Sequence, residues 1–182
     1  MSDVVMGAHA LHGLVGGRGP DGEGWHIVNL IRYDGFFSVS NGADDARSVA
    51  FSDDGSRMFV VDPSNEDVHQ YTLSTAWDVT SASHDGFFSV SSEASDARDV
   101  AFSADGSRMF VTDNTDDDVH QYTLSTAWDV TSASHDGSFP VSSEADGPRG
   151  VAFSDDGTRM FVVDRDDGDV HQWQLPLVAY PE

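Results

Sequence analysis

The chain contains no cysteine and no lysine. Without cysteine there are no disulfides, thiolate metal sites or cysteine nucleophiles, and the redox compartment stays open. Without lysine, arginine is the sole cation: nine Arg stand against 32 acidic residues, a formal net charge of −23 over 182 residues. A chain with a pI near 4.2 lacks the basic face that displaces phosphate counterions, which excludes a general nucleic-acid partner. It also lacks the cations that hold a protein on anionic lipid. No run approaches the ~18 apolar residues of a membrane helix. The start, Met1-Ser2-Asp3-Val4-Val5-Met6, carries no basic n-region, so neither a membrane span nor a signal peptide is expected.

What is present points to a folded chain. Hydrophobic residues make up 38% and aromatics 10%, and they fall in strand-like runs rather than in the sparse pattern of a disordered acidic segment. Of the 32 acids, 27 are Asp. Self-repulsion at this charge destabilises a compact state, and molar salt, with a Debye length of roughly 3 Å, removes most of it. An Asp-rich, Lys-free composition is that expected of proteins from extreme halophiles.

The sequence repeats. Tyr33-Asp34-Gly35 returns as His84-Asp85-Gly86 and as His135-Asp136-Gly137, and residues 33–83 match 84–134 at 40 of 51 positions. Each copy reads as four short strands. Ser48–Ser52 is apolar and ends at Asp53-Asp54-Gly55, a hairpin signal into Arg57–Val61. The loop 62–67 leads to Val68–Leu73, and Ala76–Ser81 reads as the fourth strand, with Gly86–Val90 carrying the chain onward. No stretch has a helical period. Four antiparallel strands in 40–50 residues is a propeller blade, so the expected fold class is all-β, with three four-stranded blades.

The motif Val-Ala-Phe-Ser-x-Asp-Gly-x-Arg-Met-Phe-Val, followed by Asp-Val-His-Gln-Tyr-Thr-Leu-Ser-Thr-Ala-Trp-Asp-Val, resembles NHL and YVTN-type β-propeller repeats. The Leu-Ser-Thr-Ala-Trp-Asp tail is similar to a variant found in marine microbial and phage structural proteins. The expected organisation is a glycine-rich arm (1–24), then a blade domain (25–182) with a closing strand (25–32) and repeats at 33–83, 84–134 and 135–182. An arm this rich in glycine would take its order from a surface to lie on. Three blades are too few for a ring. A homodimer of six blades is therefore expected, with Trp25, Ile27, Asn29 and Ile31 of each chain set against Val170, Gln172, Gln174 and Tyr180 of the other. An open wedge packed on other proteins of an assembly is the alternative.

The loops 113–118 and 164–169 hold enough Asp oxygens for calcium but fit no EF-hand pattern. They are expected to be solvated loops, so no cofactor is anticipated beyond that calcium possibility. His69, His120 and His171 share one strand position and are expected to pack. His84 and His135 are expected in turns, and His9 and His12 in the arm are a weak metal pair. Arg47, Arg98 and Arg149 precede the inner strand of each copy, and either pair within their blades or form an anion-holding ring. Phe51, Phe102, Phe153, Trp77 and Trp128 fall at core spacing. There is no nucleophile elbow and no phosphate loop.

Gluconolactonase-like propellers are metal-dependent hydrolases, and such sites converge unlike groups from different blades. Here the first two copies are nearly identical, and near the inner strand Asn41, Glu93 and Glu144 are the variations expected to be of use to a site. The chain is therefore expected to be no enzyme. It is expected to be a structural or interaction module of a larger assembly, a virion component of a virus infecting a halophilic archaeon, located in the virion or the host cytoplasm. A cellular ligand-binding or adhesin propeller is the alternative, with a lactonase-like hydrolase behind it.

Overall fold

A computed structural model describes residues 33–176. The first blade is β1 (Ser48–Phe51), β2 (Arg57–Asp62), β3 (Asp67–Leu73) and β4 (Ala82–Ser89), hydrogen-bonded in that order and antiparallel. The second repeats it with β5 (Ala97–Phe102), β6 (Arg108–Asp113), β7 (Asp118–Leu124) and β8 (Ala133–Pro140). The third has β9 (Pro148–Phe153), β10 (Arg159–Asp164) and β11 (Val170–Gln174) among the described residues. No described helix is long and apolar enough to cross a membrane.

The first hairpin forms as its residues require. Gly55 takes φ 68°, open to glycine at little cost. The Asp54 carboxylate accepts from the Ser56 N–H at 2.9 Å and the Ser52 hydroxyl at 2.7 Å, which locks the turn. Those donors hold the Asp54 carboxyl below its usual range.

The fourth strand differs from expectation. Ala76–Ser81 is a turn, and the outer strand begins only at Ala82. The Asp78 side chain accepts from the Thr80 N–H at 2.9 Å and the Thr80 hydroxyl at 2.6 Å. It thereby caps a short 3-10 turn, Val79–Ser81, and withdraws that backbone from the sheet. A physical blade thus runs 48–89, and His84 and His135 are strand residues opposite Tyr71 and Tyr122 rather than turn residues. By the 51-residue period, the counterpart of β4 and β8 at the start of the chain is 31–38, six residues later than the expected closing strand. Trp25, Ile27, Asn29, Ile31, Tyr180, His9 and His12 lie outside the described residues.

Inner strands adjoin across the blades, β1 beside β5 and β5 beside β9, so they line the axis. The seams are aromatic: Phe59 meets Phe102 at 4.3 Å and Phe110 meets Phe153 at 4.2 Å between ring centroids. Trp128 lies over the first seam, touching both Phe59 and Phe102. Trp77 touches Phe51 and is exposed. Trp128→Ala should therefore cost about 2 kcal/mol in denaturant unfolding at molar salt, and Trp77→Ala clearly less. Equal losses would show that the seam contact carries no weight.

Candidate active site on the inner strands

One position of the inner strand differs in all three copies. It is Ser48 in β1, Asp99 in β5 and Gly150 in β9. Asp99 sits between the other two blades. Its own N–H donates to Thr112 Oγ1 at 3.0 Å. Its Oδ2 accepts the Val151 N–H of the next blade at 3.0 Å. Gly150 makes that approach possible, since a Cβ there would stand 3.1 Å from Val163 Cγ1 and 3.4 Å from Asp99 Oδ2. Oδ1 and the Ser48 hydroxyl are buried and make no hydrogen bond of good geometry. Burial pushes the Asp99 carboxyl up to about 6, against the pull of the Val151 N–H, Ser48 and the Val100 N–H. A carboxyl so placed exchanges a proton near neutrality, which is the property of a general base or acid.

The arginines beside this row are also unlike. The register breaks between Ala97 and Asp99 and again opposite Gly150 and Pro148, so Arg98 and Arg149 are bulge residues. A bulge re-aims a side chain at the edge of a sheet. Arg47 pairs with Asp45 at 2.7 Å and Arg98 pairs with Asp96. In the third copy the acid two residues back is replaced by Gly147, where a Cβ would stand 2.9 Å from Asp166 Cγ. Arg149 Nε is buried with no hydrogen-bond partner among the described residues. Two of the three expected ring members are thus engaged within their blades.

The Asp-rich loops close the blades. Asp164 groups with Asp146 and Asp167 within reach of a single cation. Yet Asp164 Oδ2 accepts the Asp146 N–H at 3.0 Å and Oδ1 accepts the Asp166 N–H at 2.7 Å. Burial acts to raise the Asp164 carboxyl, and these donors with Asp167 outweigh it, leaving it below the usual value. Asp62 does the same work for the first blade, accepting from the Asp44 N–H at 2.9 Å and the Ser64 N–H at 2.9 Å. Each Asp164 oxygen thus already spends a lone pair on a backbone N–H of the loops that close its blade.

Two of the three histidines expected to pack do so in pairs, and His171 lies against Trp173. His69 Nδ1 lies 3.2 Å from His84 Nε2, and His120 Nδ1 lies 3.4 Å from His135 Nε2. Burial holds His69 and His120 below the usual imidazole value. Arg57 and Arg108 reach Asp85 and Asp136 at 3.9 and 3.4 Å. Val170, Gln172 and Gln174 are exposed along β11.

Residues 36–177 match the family model described as lactonase, 7-bladed β-propeller. The chain belongs to this seven-bladed propeller lactonase family. No curated protein sequence matches it. Among solved structures, a proposed 6-phosphogluconolactonase of Bacteroides uniformis is 16% identical with a TM-score of 0.64, covering 85% of this chain and 43% of its own. A second such protein, from Bacteroides fragilis, is 14% identical with a TM-score of 0.57, covering 71% and 34%. The periplasmic gluconolactonase of Pseudomonas aeruginosa is 17% identical with a TM-score of 0.51, covering 73% and 38%. The chain thus spans less than half the length of these propellers, and at such identities they speak for the fold alone.

Membership in a lactonase family bears out the β-propeller reading and overturns the expectation of a non-enzymatic structural module in a virion. Near-identical blades do not present identical groups at Ser48, Asp99 and Gly150, which offer a hydroxyl, a carboxyl and a gap. The Ser-to-Asp change in an otherwise matching apolar strand is legible in the sequence, apart from Asn41, Glu93 and Glu144.

Proposed function

We propose that the chain is part of a propeller hydrolase that opens lactones, with Asp99 as the general base. The observation that carries this reading is the Asp99 carboxyl, buried on the inner strands between Ser48 and the Val151 N–H, with a pKa raised to about 6. Membership in the lactonase family supports the reaction class. In the reaction, Asp99 takes a proton from water as the water oxygen bonds to the lactone carbonyl carbon. The ring C–O bond then breaks, and the leaving oxygen regains the proton to give the hydroxy acid. The absence of an in-blade acid beside Arg149 supports a role for it as the ligand of an anionic group on the substrate. Sugar lactones with and without a 6-phosphate are the substrates to try.

Hydrolysis in molar salt should exceed the spontaneous rate. Arg149→Ala should raise KM for the phosphorylated lactone about tenfold with little change for the plain lactone. No rate above the spontaneous one for either lactone would sink the reading. The charge of −23 supports a reading of the surroundings as well, that of a protein adapted to molar salt.

A further inference from the structure

The outer strands carry imidazoles that the inner-strand site does not use. His120 lies on β7 and His135 on β8. The β7–β8 register breaks between Gln121 and Tyr122, so Asp136 is the extra residue and His135 stands opposite Tyr122. That bulge turns His135 onto the face of the sheet that carries His120. The two nitrogens, His120 Nδ1 and His135 Nε2, lie 3.4 Å apart, and the first blade repeats the pair at 3.2 Å with His69 and His84. An N–H hydrogen bond spans about 2.7–3.2 Å, and two nitrogens bound at about 2.0–2.1 Å to one tetrahedral ion stand roughly 3.3–3.4 Å apart. The spacing in the second blade is that of two ligands of one ion.

The rings are held in place. The His135 ring lies 5.5 Å from that of His120 and 5.2 Å from that of Tyr122, between centroids. His120 is buried, which keeps its imidazole unprotonated near neutral pH, so no proton has to leave before it binds an ion. His135 is exposed and gives an ion its way in. What covers the pair differs between blades. Gly42 and Glu93 hold one repeat position in the same turn, their N–H groups donating to the Val39 and Val90 carbonyls at 3.0 and 2.9 Å. A Cβ on Gly42 would stand 3.2 Å from His69 Nδ1 and 3.6 Å from His84 Nε2. Glu93 by this equivalence roots a carboxylate over His120 and His135, and its charge acts on the His120 imidazole and the Tyr122 hydroxyl. The carboxylate does not yet close on both imidazoles. Glu93 is partly exposed, and a change of rotamer brings an oxygen toward the pair.

We infer that His120, His135 and Glu93 form a site for a divalent transition ion of the zinc and copper class, which clamps β7 and β8 to the turn between the first two blades. Two imidazoles and one carboxylate suit such an ion, whereas calcium and magnesium take oxygen ligands. The first blade, with Gly42 in place of the acid, offers two nitrogens alone and binds more weakly. Asp99 lies on the inner strand β5, away from this pair, and the inference is independent of the hydrolase reading.

Titrated calorimetrically with zinc chloride in molar NaCl, the protein should bind zinc, and saturating zinc should raise the melting temperature by about 5 °C. Calcium chloride at the same ionic strength should leave the melt unchanged. His135→Ala alters a side chain that is already exposed. It should raise the zinc Kd at least 100-fold with the β circular dichroism unchanged, and Glu93→Gln should raise it about tenfold. His84→Ala, which removes the first-blade pair, should leave this affinity as in the parent. Absence of zinc binding overturns the inference, and so does a parental Kd in either His135→Ala or Glu93→Gln. Loss of the ion in Asp146→Asn with His135→Ala unaffected would assign it to the Asp164 loop and overturn the inference as well.

Discussion

Dialysed from molar salt into dilute buffer, the protein should lose its β circular dichroism signal below about 1 M salt. The acids crowd the loops that close each blade, at 113–118 and 164–169. Asp117 registers the crowding. Its carboxyl is held above the usual value by burial first and then by Asp146, Asp113, Asp164 and Asp116. The counterweight is small. Arg47–Asp45, Arg108–Asp136 and Arg165–Asp166 pair at partly exposed positions, where an ion pair contributes about 0–1 kcal/mol. The expected source of screening is salt in solution. The Debye length grows from roughly 3 Å at 1 M to about 30 Å at 0.01 M, and the loops then repel as a whole. Because the folded value of Asp117 lies above the unfolded one, its penalty eases as pH falls through that folded value. An unchanged spectrum in dilute buffer would remove the salt requirement.

Asp99→Asn should make the protein more stable and much less active. Lifting the Asp99 carboxyl from 3.8 to about 6 costs about 3 kcal/mol of stability at any pH well above 6. Asn keeps an oxygen for the Val151 N–H and carries no charge to bury. The variant should unfold about 2–3 kcal/mol later than the parent at pH 8. The folded carboxyl binds its proton below about 6 and the unfolded one only below 3.8. The advantage therefore shrinks as pH falls through that window and is gone beneath it. In the same variant, lactone hydrolysis should drop by about 10²–10⁴-fold, since Asn cannot accept the proton. Retained activity would remove Asp99 from the chemistry. Lower stability at pH 8 would show that the carboxylate is favoured where it lies.

The blades could be read in advance because their instructions are local. A period of 51, apolar runs of strand length, and Asp-Gly turns that fold on their own side chains need no distant partner to be recognised. The phase of the outer strand was harder to see. It depends on whether Asp78 caps the following turn or lets the chain run on as a strand, and the apolar pattern of 76–81 alone favours the strand. The meaning of Gly147 was likewise hidden, since losing an acid there matters only once Arg98 is seen pairing with Asp96. The candidate inner-strand site shows in the sequence only as the change from Ser48 to Asp99 to Gly150 at one repeat position, and its chemistry belongs to the assembled fold. Ser48, Asp99 and Gly150 stand 51 residues apart in the chain and become neighbours because stacking blades turns one repeat position into a row along the axis. Local sequence carries hydrogen-bond registers and turns. It does not carry the desolvation that raises a carboxyl to about 6, because that comes from packing between blades.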